Sequence, residues 1–143
     1  MTAVTSIIEE VRGFLTDLRH DWPDLFHPRL PPAPPPPPEG SLEALFHARA
    51  SHWAPLLGVE FGRVRVKGQR SLWGSCTRRG DLNFNRRLLD APREVLDYVV
   101  IHELAHRLEM NHSRRFWALV AQRCPSYRAW ITWLRTYGPY LGI

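Results

Sequence analysis

The chain has 143 residues, 44% of them hydrophobic, including six tryptophans and six phenylalanines, which suits one packed globular domain and argues against disorder. Its net charge of +5 is uneven: residues 1–60 carry four basic and eight acidic side chains, residues 61–143 fifteen and six, so any nucleic-acid contact falls to the basic C-terminal part. No run reaches the ~18 apolar residues that span a bilayer, and MTAVTSIIEE lacks the basic-then-apolar order of a secretory signal.

Residues 3–19 place apolar side chains at helical spacing (Ile7 or Ile8, Val11, Leu15, Leu18), predicting an N-terminal helical segment within 1–27. A linker follows over 28–40; seven of the eight residues from Pro31 to Pro38 are proline. Proline has no amide hydrogen and a fixed φ, so the tract is a stiff polyproline II spacer. Its other reading is a docking arm for an aromatic-groove partner. The main body is 41–143. A helix capped by Ser41 is expected first, with Leu42, Leu45, Phe46, Arg49 and Trp53 on one side, and with His47 and His52 as surface or capping residues. Val64 and Val66 alternate with arginines as a half-buried strand. RSLWGSCT and DLNFN flank Arg78, Arg79 and Gly80, which predicts a hairpin with a glycine-bearing turn. Asp90 or Ala91 then starts a helix through REVLDYVVIHELAHRLE, Ser113 caps a second, and SYRAWITWLRTYG makes a last one, ending at Gly138. The fold class is α+β: a small mixed sheet with a hairpin, one central helix and two C-terminal helices. Cys76 and Cys124 form no C-x-x-C pair and read as reduced thiols, which points to the cytoplasm.

The central helix poses the functional question. Val95, Leu96, Val99, Val100, Ile101, Leu104, Ala105 and Leu108 make it apolar nearly all round, yet His102, Glu103 and His106 sit among them. An unpartnered buried carboxylate costs several kcal/mol, at roughly the level that a nearby divalent cation offsets. His102 and His106 are one turn apart on one face, so both rings can aim at a single point. Glu103 lies about 100° round the helix, too poorly aimed to be a ligand but able to reach a water on the metal. This is H-E-x-x-H, the pattern of Zn2+ held by two histidines with glutamate as general base.

A catalytic zinc needs a third protein ligand. No Asp or Glu follows Glu109, and Glu109 itself would lie about 10.5 Å along the axis from His102. His112 remains, provided the helix breaks between 106 and 112, with Asn111 in the left-handed conformation that ends helices. Asp97 is a candidate partner for a ligand histidine, or a surface residue. Spacing does not identify the donor for a tetrahedral oxyanion; Tyr127 and Arg78 are the candidates. A peptide could add as a strand along the arm around Trp73–Thr77, which makes Trp73 and Ser75 substrate-binding candidates, with Trp73 equally readable as core.

WGSC at 73–76, APREVLDYVVIHELAH at 91–106 and NHSRRFW at 111–117 resemble the YgjP-like metallopeptidases, relatives of the SprT-like zincins, over about residues 59–137. The resemblance implies a zincin-type domain with its active-site helix under a short mixed sheet, His102, His106 and His112 on one zinc ion, and Glu103 as acid/base. Leu72 stands where that family usually has arginine, and residues 1–40 have no counterpart in it. The ligand spacing also equals that of the metzincins, but Glu109 replaces their glycine and no methionine follows Met110.

Three functions are therefore weighed. The first is a zinc-dependent peptidase acting on a peptide or protein. The second is a metal-dependent nucleoside triphosphate pyrophosphohydrolase, an activity suggested within the YgjP-like group, although the chain has no Gly-rich phosphate loop. The third is a metal-stabilised DNA- or protein-binding module.

Overall fold

The computed structural model describes residue 35, residues 37–68 and residues 72–142. The helix expected over 3–19, and most of the proline tract, lie outside the described residues.

Ser41 does cap the first described helix, α1 (Leu42–Leu57), its hydroxyl accepting from the Ala44 amide at 3.2 Å. Of the residues expected on one side, Phe46 is buried, Leu45 and Trp53 pack against the core and Arg49 reaches Asp97, while Leu42 is 49% exposed; Ala50 and Ala54 complete the buried face. Alanine at two of the three inward positions lets the α1 backbone approach its neighbours closely, a fit that large residues would prevent.

The sheet has three strands, β1 (Val64–Lys67), β2 (Gly74–Cys76) and β3 (Leu82–Asn85), in the order β1-β3-β2. β2 and β3 form the expected antiparallel hairpin, and β1 lies parallel to β3, so the sheet is mixed. Register puts Val64, Leu82 and Cys76 in one row and Arg65, Asn83 and Ser75 in the next. Successive rows face opposite sides, and the first packs on the core. In the hairpin turn Gly80 has φ +94°, and the Arg107 guanidinium occupies the space a Cβ would need. The positive φ requires glycine there, and a Cβ would also displace the guanidinium. Arg107 also donates to the carbonyls of Glu60 and Arg78 (both 2.9 Å), tying the turn to the end of the central helix.

A short 3-10 segment, Arg86–Asp90, leads into α2 (Arg93–Ala105). The cap is Pro92 rather than Asp90 or Ala91, and no side chain caps this end. Residues 86–90 have already turned as 3-10 helix, which moves the α-helical start two residues on. α2 is the core element: Val95, Leu96, Tyr98, Val99, Val100, Ile101, Leu104 and Ala105 are buried along it. It ends at Ala105, earlier than the apolar pattern suggests. α3 (Arg114–Arg123) is capped by Ser113, and α4 (Tyr127–Tyr137) runs to Gly138. Phe46 stacks on Phe84 (5.0 Å, 9°), joining α1 to the sheet. Arg49 grips Asp97 with two bonds of 2.7 and 2.8 Å, joining α1 to α2.

Candidate metal centre

The site begins with how α2 stops. After Ala105 the amides of Arg107 and Leu108 bond to carbonyls three residues back (both 3.0 Å). This tightening turns the chain out of the helix at once. Among the described residues no non-glycine residue has positive φ, so Asn111 does not use the left-handed conformation. The tightened turn, with Ser113 starting α3, achieves the reversal instead.

The reversal brings His112 back over α2. Nε2 of His102 and Nε2 of His112 are 3.1 Å apart, and one ring nitrogen from each of His102, His106 and His112 falls within 4.8 Å of the others. Ring centroids are separated by 4.8 to 5.1 Å. Two nitrogens, each about 2.0 Å from one tetrahedral ion, lie ~3.3 Å apart, which the His102–His112 pair matches at 3.1 Å, with the His106 nitrogen within 4.8 Å of both.

Protonation reinforces the fit. His106 Nδ1 lies 3.0 Å from the Glu109 carbonyl, which can only accept, so the proton is on Nδ1 and the lone pair on Nε2 faces the cluster. Burial lowers the pKa of His106, as does His112, against the raising effect of that bond. Burial first, then the two other histidines, lowers His102 to about 3. His102 and His106 are therefore neutral. Nε2 of His102 and Nε2 of His112, 3.1 Å apart, share a hydrogen bond in one tautomer and present two lone pairs in another, and three imidazole donors so grouped suit a metal ion such as zinc. The three residues fit such an ion.

Glu103 is 5% exposed, with Oε1 3.8 Å from His102 Nε2. Burial alone raises its carboxyl from 4.5 to about 8. A dication beside it would oppose that shift and favour the carboxylate. Above Glu103 runs β2, so close that a Cβ on Gly74 would lie 3.0 Å from Glu103 Cγ and 3.1 Å from Val99 Cγ1. Glycine at 74 is what lets the edge strand lie against the carboxyl.

The remaining candidates fall in different places. Ser75 is half-buried on β2, its hydroxyl accepting from Asn83 Nδ2 at 3.1 Å. Trp73 packs its ring on the Gly138 backbone, with the Arg87 guanidinium 4.4 Å above it. Tyr127 joins the site through rings: it stacks on Trp117, which stacks on His112. Arg78 is exposed at the hairpin turn, where its carbonyl accepts from Arg107. Asp97 is paired with Arg49, and among the described residues no hydrogen bond joins it to a histidine.

Sequence reasoning missed two groups around the histidines. Tyr98 places Oη 3.2 Å from His102 Nδ1. It sits four residues before His102, so helical spacing alone would have found it. Phe116 is fully buried and meets all three histidine rings, at 4.5, 4.9 and 5.0 Å. No local pattern announces that contact, since it depends on how α3 folds back.

No helix among the described residues is long and apolar enough to cross a membrane. Among solved structures the chain is similar to the abylysin metallopeptidase zymogen of Pyrococcus abyssi, at 24% identity over 66% of this chain and 93% of that one, with a TM-score of 0.56. It is also similar to the jannalysin metallopeptidase zymogen of Methanocaldococcus jannaschii, at 18% identity over 61% and 93%, with a TM-score of 0.51. At these identities the likeness establishes the fold, a compact α+β arrangement with a small mixed sheet. No curated protein matches the chain. A model of the YgjP-like metallopeptidase domain matches residues 39–137, a span that takes in the hairpin, the HELAH helix and the turn carrying His112. The chain belongs to the YgjP-like metallopeptidase-domain family.

Proposed function

We propose that this protein hydrolyses peptide bonds as a zinc-dependent peptidase of the H-E-x-x-H type, with His102, His106 and His112 holding one Zn2+ and Glu103 as general base. The observation that carries this reading is the convergence of three ring nitrogens within 4.8 Å beside a buried carboxyl. Zinc in such a site activates water at neutral pH and polarises a carbonyl. Glu103 takes the proton from the attacking water and hands it to the leaving amine. The substrate lies along β2, one of the two edge strands of the sheet, with Ser75 and the neighbouring Trp73 beside it. Tyr127 and Arg78 remain the candidate donors to the developing oxyanion.

Residues 41–143 form the catalytic domain in this reading, with 1–27 as an accessory segment and 28–40 as spacer or docking arm. A cytoplasmic setting accords with Cys76 and Cys124, both free thiols. Contact with nucleic acid would use the stretch after Glu109, which has no acidic residue.

The test is metal analysis of the purified chain together with separate incubation on unfolded protein and on nucleoside triphosphates. One zinc per chain and peptide products are expected, with Glu103→Gln keeping the metal and losing turnover. Release of pyrophosphate without peptide products would transfer the site to the phosphoanhydride reading. Zinc without any hydrolysis, unchanged by Glu103→Gln, would indicate a binding module. Deleting residues 1–40 raises activity if that segment inhibits and lowers it if it recruits substrate.

A further inference from the structure

His112 is held differently from the other two histidines. His102 and His106 each have a partner at Nδ1, Tyr98 Oη and the Glu109 carbonyl. Among the described residues, no hydrogen bond reaches Nδ1 of His112, whose polar neighbour is Nε2 of His102. It is also the most exposed of the three, and it stands in the turn between α2 and α3 rather than on a helix. A ring on a turn, with no hydrogen bond at its far nitrogen among the described residues, needs another means of holding its orientation, because a wandering donor weakens a metal site.

Aromatic rings surround it instead. Trp117 lies nearly parallel to it (5.9 Å, 27°), Tyr127 stacks in turn on Trp117 (5.1 Å, 17°), and Phe116 meets it edge-on (5.0 Å, 89°). The Ser113 cap accounts for the placement. Its hydroxyl accepts from the Phe116 amide and its carbonyl from the Trp117 amide, fixing the first turn of α3. Helical side chains lean toward the N-terminus of their helix, so Trp117 covers the turn just before it, where His112 stands.

Resting on the reading of His112 as the third ligand, we infer that Trp117, backed by the ring of Tyr127, is a positioning residue. Stacking on the imidazole does for His112 what hydrogen bonds do for His102 and His106. Tyr127 therefore acts on the metal site through its ring, whatever its hydroxyl does for the reaction.

The experiment uses the full chain with zinc affinity measured by chelator competition. His112→Ala comes first: a large loss of affinity establishes the ligand, and unchanged affinity removes both that reading and this inference. Trp117→Leu keeps apolar bulk but removes the flat face, and zinc affinity should fall roughly tenfold, the low end for an outer-shell partner. Trp117→Phe, which restores a flat face, should recover most of the loss. The visible absorption of the Co2+-loaded protein should change with leucine and return with phenylalanine. Tyr127→Phe should keep zinc affinity, whereas Tyr127→Ala should lower it about threefold, in the range of one aromatic pair. If Trp117→Leu does not fold, Tyr127→Ala against Tyr127→Phe carries the test. Zinc binding unaffected by Trp117→Leu or Tyr127→Ala while His112→Ala loses it, or equal losses for Trp117→Leu and Trp117→Phe, would overturn the inference.

Discussion

Glu103→Gln tests the electrostatics of the site in the metal-free protein. Burial raises the Glu103 carboxyl from 4.5 to about 8, so across that interval the folded chain keeps a proton that the unfolded chain releases. A group whose pKa rises on folding stabilises the fold at low pH, and the contribution is lost as pH climbs through the folded value. His102 has the opposite sign: lowered from 6.5 to about 3, it costs stability only as pH falls below 6.5, and His106 shifts in the same direction. Cys76, raised by burial and then by Glu103 to about 11 from 9.0, acts only at higher pH. Between pH 6.5 and 8 Glu103 therefore governs how stability changes with pH. The slope is about 1.4 kcal/mol per pH unit, so the wild type should lose roughly 2 kcal/mol over that window. Urea unfolding in chelator at the two ends of the window measures it. Glutamine, which does not titrate, should flatten the curve. Parallel pH dependence in the two proteins would mean that the carboxyl is solvated and that no base is poised in a dry site.

Other substitutions probe the surrounding structure. Gly74→Ala puts a Cβ 3.0 Å from Glu103 Cγ and 3.2 Å from the Asn83 carbonyl. It should cost about 1–3 kcal/mol by thermal unfolding and lower turnover more than zinc content; wild-type melting would mean that the strand shifts freely. Asp97→Asn leaves the Arg49 guanidinium without its charge partner. Stability should fall by about 1–3 kcal/mol, between the exposed and the buried cases. Zinc affinity should not change, and a change would contradict the separation of Asp97 from the histidines. Tyr98→Phe removes the bond to His102 Nδ1, and chelator competition should show zinc binding weakened roughly 10- to 100-fold. Unaltered affinity would mean that packing alone orients that ring.

Much of this molecule is legible in one dimension. The Ser41 and Ser113 caps, the hairpin around Gly80 and the burial of α2 rest on local rules: a hydroxyl three residues before an amide, a glycine where φ is positive, and apolar residues on every side of a helix. The pairing of His102 with His106 is of the same kind, since helical geometry fixes where residues four apart point. Elimination among a few available donors even singles out His112.

What local rules do not carry is where separate segments meet. A left-handed Asn111 is a reasonable way to end a helix, but the chain tightens at Ala105, where Arg107 is held by the Glu60 and Arg78 carbonyls, 47 and 29 residues away in sequence. Asp97 reads in the sequence as a partner for a ligand histidine or as a surface residue, and in the fold Arg49 of α1 holds it. Spacing along the chain thus determined the pairing of His102 on α2 with His106 at its C-terminal cap, and the need for a third donor. Only the tertiary structure decided how that third ring is held, because Phe116, Trp117 and Tyr127 reach it through the docking of α3 and α4, and such contacts leave no periodic trace in the sequence.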